Sequence, residues 1–234
     1  MSTWTYRPAN IVGVVELGSW CGKGSPALKR HFHDEDQIVF VLSGSRSFLI
    51  QDEVLRLTAG KAVYIPAETP HTPIATMDNG TTCLNAYIPM NGRSAQSLSV
   101  FDIRDRWLSA DGIDVAKFLR DWNDTEPHVE QPAPLNATEK KLRITLSNSL
   151  GRIGDLATSL GRSREGFSRL VRHEIGVAPH AFRVLARLNH ARQLLRAGEP
   201  IAAVAVETGF ADQSHMSRLF RSTFGTTPGL YRRG

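Results

Sequence analysis

Two different spacings of apolar residues divide the chain. Up to about residue 90 the apolar positions come in short runs rich in Val, Ile, Leu, Tyr and Phe. An opening strand is expected between residues 4 and about 20, carrying Ile11, Val12, Val14, Val15 and Leu17. Further strands are expected at Lys29–Phe32, Gln37–Leu42, Ser47–Gln51, Glu53–Leu57, Ala62–Ile65, His71–Ala75 and Thr82–Ile88. Turn dipeptides punctuate them at Ser43-Gly44, Gln51-Asp52, Ala59-Gly60 and Asn79-Gly80. Many short strands at close spacing predict an antiparallel barrel or jelly roll, which can enclose a small cavity. Trp20, Phe40, Phe48, Tyr64 and Tyr87 are expected in its core, with Cys21 and Cys83 as small buried residues.

Beyond Asn91 the alternation fades. Ser97–Ile103 and Asp114–Trp122 read as helices, the second with Val115, Phe118, Leu119 and Trp122 on one side. Glu126–Pro134, polar and proline-rich, reads as a linker between domains. From residue 137 the apolar spacing is helical throughout. Thr138 is a candidate cap for a helix to about Ser149, followed by Arg152–Leu160, a turn at Gly161, and Arg164–Ile175 capped by Ser163. Pro179–Ala197 predicts one long helix with Phe182, Leu185, Leu188, Ala191 and Leu195 buried and Arg183, Arg187, Arg192 and Arg196 mostly exposed. A short helix, Ile201–Thr208, ends at Gly209, and Asp212 caps a last helix, Gln213–Phe224, whose buried stripe is Met216, Leu219, Phe220 and Phe224. Helices meeting at a glycine turn twice in succession predict two helix-turn-helix units. Gly154 and Gly166 lie inside helices of the first unit, each at a cost of about 1 kcal/mol relative to alanine.

Charge sharpens this division. The net charge is +5, but residues 1–136 hold 12 Lys+Arg against 16 Asp+Glu, whereas residues 137–234 hold 16 against 7. A basic helical half attracts phosphate backbones with strong salt dependence, and arginine can fork onto guanine or phosphate. Two cysteines supply neither a disulfide framework nor a metal-binding spacing, and no apolar run suggests a signal peptide or a membrane span, so a cytoplasmic protein is expected.

The segment from Gly209 to Arg232 carries a closer likeness. Gly209-Phe210-Ala211-Asp212-Gln213-Ser214-His215, Arg218-Leu219-Phe220-Arg221, Gly225-Thr226-Thr227-Pro228 and Tyr231-Arg232 resemble the C-terminal signature of the AraC/XylS family of transcription regulators. The stretch around Ser163 resembles the family's first helix-turn-helix. The resemblance implies a sequence-specific regulator that binds double-stranded promoter or operator DNA and responds to a small-molecule effector, with no catalytic residues. A homodimer, and contact with RNA polymerase in an activator, are further implied partners. Base edges would be read by Gln213, His215, Ser217 and Arg218 in the second unit and by Glu165, Ser168 and Arg169 in the first. Arg164, Arg172 and Arg221 would hold phosphates, and Ser214 lies on the same exposed face. In the family a helix after the barrel often carries the dimer contact; the two predicted helices between residues 91 and 136 either do so or pack on the outside of the barrel.

In the first half, His31-x-His33-x3-Gln37-x6-Gly44 and Gly60-x5-Pro66-x4-His71 are similar to the two motifs of the cupin superfamily. His31 and His33, two apart on a strand, would face one side. With His71 they could hold a divalent metal or touch an effector, or they could be hydrogen-bonded within the fold. Gln37 stands where metal-binding cupins usually carry Glu, Glu68 where a glycine is expected and Ala75 where an asparagine is expected. The expected architecture is a multi-domain α and β chain. It comprises a cupin (jelly-roll) sensor barrel over 1–90, a helical dimer or linker region over 91–136, and an all-α domain of two helix-turn-helix units over 137–234. The rival is a metal-dependent cupin enzyme whose helical half tethers it to DNA.

Overall fold

The computed structural model describes residues 4–90, 97–110, 112–124, 137–149 and 151–234. The expected linker Glu126–Pro134 lies outside the described residues. Among the described residues, nine strands build the two main sheets of the first half: β1 (Thr5–Pro8), β2 (Glu16–Gly22), β3 (Asp36–Ser43), β4 (Ser45–Ile50), β5 (Glu53–Thr58), β6 (Lys61–Ile65), β7 (His71–Ile74), β8 (Thr81–Ile88) and β9 (Ser99–Asp102). They form a six-stranded sheet in the order β1-β2-β8-β3-β6-β9 facing a three-stranded sheet in the order β5-β4-β7, with every named pair antiparallel. The tight β4–β5 hairpin turns on Gln51 and Asp52, both at positive φ. That conformation is tolerated by Asp and by few other non-glycine residues.

Period-two alternation distributes the side chains. Val39, Val41, Phe48, Ile50, Leu57, Val63 and Ile65 pack between the sheets. Ile38, Phe40, Ala62, Tyr64, Ala86 and Ile88, on the opposite faces of the same strands, pack outward against α1 (Val115–Asp124). Both faces of β3 are thus covered, which is why its sequence is a nearly continuous apolar run. On α1, Val115, Phe118 and Leu119 are buried, and Phe118 meets Phe40 and Trp107 edge-on at centroid distances of 5.0 Å each. This helix packs on the outside of the barrel.

Several sequence expectations are corrected here. Ser97–Ile103 is not helical: β9 pairs Val100 with Val63 and Phe101 with Ala62, extending the large sheet. Lys29–Phe32 is no strand; only His31 pairs, by a single bridge, with His71. The opening segment is two strands, with Val12 fully exposed in the turn between them. Cys21 is exposed, and Cys83 alone of the two cysteines is buried.

The second half contains α2 (Ala137–Asn148), α3 (Ile153–Ser159), α4 (Arg164–Ile175), α5 (Pro179–Arg196), α6 (Ile201–Glu207), α7 (Gln213–Phe224) and α8 (Pro228–Tyr231). Helix α2 begins at Ala137, so Thr138 lies within its first turn and does not cap it. The other caps follow the sequence. Ser163 Oγ accepts from Gly166 N, Asp212 accepts from His215 N, and Gly176 and Gly225 end α4 and α7 in the left-handed conformation. Helix α5 supplies Phe182, Leu185, Leu188, Ala191 and Leu195 to a core shared by both helix-turn-helix units. Trp4, Tyr6, Trp20, Phe32, Cys83 and Tyr87 of the barrel join that same core.

Candidate functional site

The faces expected to meet DNA are open. On α4, Arg164, Glu165, Arg169 and Arg172 are exposed and Ser168 is half-buried; on α7, Gln213, Ser214, Arg218 and Arg221 are exposed, with His215 and Ser217 half-buried. The His215 ring stands edge-on to Phe210 at 5.7 Å, which fixes its direction. Helix α5 ties the two units together through polar contacts to their backbone carbonyls. Arg183 donates to the carbonyls of Leu146 at 3.3 Å and Gly151 at 2.6 Å, and Arg187 donates to Gly209 O at 3.0 Å.

A third face of α5 points at the barrel. Asn189, Arg192, Gln193 and Arg196, spaced i, i+3, i+4 and i+7, line it. Asn189 Nδ2 donates to Phe32 O at 3.1 Å, and Gln193 Nε2 to Asp34 Oδ2 at 3.0 Å. Arg192, expected at the surface, is 1% exposed. Its Nη1 donates to His33 Nδ1 at 2.7 Å and Glu35 Oε2 at 3.3 Å, and its Nη2 donates to Glu16 Oε1. Arg196 adds a 2.7 Å bond to Glu35 and a 3.3 Å bond to Glu16, and the Tyr231 hydroxyl donates to Glu16 as well. Despite the upward push of burial, Arg192 and Arg196 hold the Glu35 carboxyl below its ordinary value. Tyr6 from β1 donates to Phe224 O at 3.0 Å, so the second helix-turn-helix unit is also hydrogen-bonded to the sheet.

Beneath this junction lie the three histidines. His31, His33 and His71 are all buried, and one nitrogen of each lies within 4.8 Å of the others. Sequence reasoning brought them together correctly, although His31 and His33 sit on a loop. Gln37 is buried on the neighbouring β3, with no hydrogen bond to any of the three rings. Phe224, the last residue of α7, covers His31 and His33 at centroid distances of 5.9 Å each.

The hydrogen bonds of each ring fix its tautomer. His31 Nδ1 lies 2.7 Å from Lys29 O and His71 Nδ1 lies 3.0 Å from Thr69 O. A carbonyl can only accept, so both Nδ1 atoms carry the proton and both Nε2 atoms present lone pairs. A guanidinium can only donate, so His33 Nδ1 accepts from Arg192 and its Nε2 carries the proton. The cluster offers two lone pairs and one N–H, which is not a three-nitrogen ligand set for a metal. Burial keeps the rings neutral, the form that can ligate, but the neighbouring arginines disfavour a further cation. Burial holds all three imidazoles below their usual range, His71 to about 4, with Arg192 lowering His33 further and Arg46 and Arg30 lowering His71. His31 and His71 could each ligate through Nε2, but with His33 engaged by Arg192 and Gln37 in place of a carboxylate the set is two nitrogens short of a tetrahedral site in this arrangement.

Comparison with known proteins agrees with this architecture. A helix-turn-helix domain model matches residues 156–234, and a cupin domain model matches residues 22–87. The transcriptional activator NphR of a Rhodococcus species is 44% identical over 82 residues, covering 35% of this chain and 24% of NphR. The chain thus aligns with about a quarter of that relative. The probable transcriptional regulator LumQ of Photobacterium leiognathi is 22% identical over 229 positions, covering 86% of this chain and 91% of LumQ. ToxT of Vibrio cholerae, in a crystal structure with a bound unsaturated fatty acid, shares the fold at a TM-score of 0.59 and 15% identity, over 97% of this chain and 95% of ToxT. The chain thus matches a cupin model in its first half and a helix-turn-helix model in its second, and shares the fold of ToxT along nearly its whole length.

Proposed function

We propose that this chain regulates transcription in the cytoplasm by reading successive major-groove segments of promoter DNA with α4 and α7, under control of a small organic effector held in the barrel. The observation that carries the reading is α5: one helix fixes both recognition units and also holds the buried Arg192 network to the barrel. A rigid helix of this kind sets the separation of two recognition helices, which must match the helical repeat of DNA. Occupancy of the barrel then bears on DNA binding through one continuous core. The fatty acid in ToxT supports an organic effector for this fold, and the unfavourable donor set at the histidines argues against a metal. A homodimer on paired sites and, in an activator, contact with RNA polymerase complete the reading.

The test is a binding titration on DNA from upstream of the chain's own gene, with random DNA beside it. Arg218→Ala is expected to relax discrimination at one base pair, losing about 1–3 kcal/mol on the specific site alone. Arg221→Ala is expected to weaken binding equally on both DNAs and to flatten the salt dependence. Equal losses for the two variants on both DNAs would overturn the assignment of roles. Wild-type binding that does not distinguish the two DNAs would overturn the regulator reading itself.

A further inference from the structure

Inside the barrel lies a positive charge with no counter-ion among the described residues. The alternation of β4 puts Arg46 on the same inward face as Phe48 and Ile50, and Arg46 is 1% exposed. Its guanidinium carbon lies 5.0 Å from the centroid of the Phe48 ring and 5.3 Å from that of Trp4. Its Nε and Nη1 are buried without a hydrogen-bond partner, and so is the indole Nε1 of Trp4. Among the described residues, no carboxylate forms an ion pair with Arg46, whereas Arg192 has two. The groups that act on Arg46 electrostatically are Cys83, Tyr6 and Tyr87. Burial pushes the Cys83 thiol up to about 11 and the Tyr87 phenol up to about 12, so neither supplies a negative charge at neutral pH.

A buried guanidinium remains charged, and a buried charge without an acceptor is strongly unfavourable. Two guanidinium N–H groups of Arg46 therefore lack an acceptor among the described residues, beside the rings of Trp4 and Phe48. We propose that the barrel binds a carboxylate ligand at Arg46, with the carboxylate on the guanidinium and an apolar body against Trp4, Trp20 and Phe48. The assignment rests on the regulator reading above for its role as effector. Charge balance selects the class. One carboxylate neutralises one guanidinium, whereas a phosphate dianion would leave a buried negative charge uncompensated beside aromatic rings. The two oxygens of a carboxylate also match the donor fork of arginine. Position couples the site to DNA binding. A Cβ on Gly225, the cap of α7, would sit 2.3 Å from Trp4 Cδ1, so Trp4 bears directly on the end of the second recognition helix.

The experiment is calorimetric titration of the purified full chain with sodium octanoate and sodium benzoate, with octanamide and benzamide as uncharged matches. At least one carboxylate is expected to bind, and to bind at least tenfold more tightly than its amide. Arg46→Met is expected to lose that binding tenfold or more and, without ligand, to melt at a higher temperature than the wild type, because an unpaired buried charge has been removed. Arg46→Lys keeps the charge and is expected to retain more affinity than Arg46→Met. Absence of binding by both carboxylates, equal binding to Arg46→Met, or a lower melting temperature for that variant would each overturn the proposal. Binding of promoter DNA is measured on the same samples. Intact specific DNA binding without carboxylate binding removes only this assignment, whereas loss of specific DNA binding by the wild type removes the regulator reading.

Discussion

Replacing Arg192 by Met tests whether the buried ion-pair network holds the two domains together. Methionine keeps most of the side-chain volume, so the cavity term is small and the electrostatic term dominates. The substitution removes the bonds to His33, Glu35 and Glu16 at once. Glu16 is 2% exposed and cannot regain water while the domains stay docked. Breaking a buried pair from one side costs about 3–5 kcal/mol, because the remaining charge is stranded. Arg196 still reaches both carboxylates, and Tyr231 still donates to Glu16, which places the expected loss at the lower end, about 3 kcal/mol. The assay is urea denaturation of the full chain followed by circular dichroism, with Glu16→Gln and the double variant completing a thermodynamic cycle. Once Arg192 is gone, Glu16→Gln removes the stranded charge, so the double variant is expected to recover most of the loss. A loss below about 1 kcal/mol for Arg192→Met, or a double variant less stable than the single, would refute the reasoning.

The three histidines predict an acid-sensitive structure. Their folded values lie below the unfolded value of 6.5, so the unfolded chain binds more protons between the two, and stability is complete above pH 6.5 and falls as pH drops toward the folded values. For His71, folded value about 4, the loss is about 2 kcal/mol by pH 5, and Glu35 adds to it only at more acid pH; a urea midpoint unchanged from pH 7.5 to 5 would contradict this. Gly225→Ala combines φ +75° with a Cβ 2.3 Å from Trp4 and is expected to cost more than 2 kcal/mol, whereas Gly161→Ala, at φ +66° with nothing within 4 Å, is expected to cost about 1. Equal melting temperatures for these two variants would show that Trp4 does not press on α7. Phe118→Ala empties the outer cluster of Phe40, Phe101, Trp107 and Trp122 and is expected to lose about 4 kcal/mol in denaturation, with affinity for DNA unchanged in the fraction that stays folded.

Most strands could be read directly because turn residues interrupt the short apolar runs. Ser97–Ile103 could not. So short a segment fits a helical spacing as well as a strand, and the edge of β6 decides between them. The helices of the second half were legible from their caps, since Ser163 and Asp212 act within three residues of themselves. The cupin spacing likewise brought His31, His33 and His71 into one candidate site.

Local sequence thus determined the strand-rich first half, the double helix-turn-helix and the histidine cluster, because periodicity, capping and turn chemistry operate over a few residues. Only the tertiary structure decided the fate of the arginines. Arg192 lies 176 residues from Glu16 and Arg46 lies on an ordinary strand, so nothing in their neighbourhoods distinguishes a buried guanidinium from a solvated one. Docking of α5 on the barrel gives Arg192 two carboxylates, and closure of the barrel leaves Arg46 none among the described residues. Burial is a property of the packed whole, and the cost of burying a charge makes that difference decisive for what the site can bind.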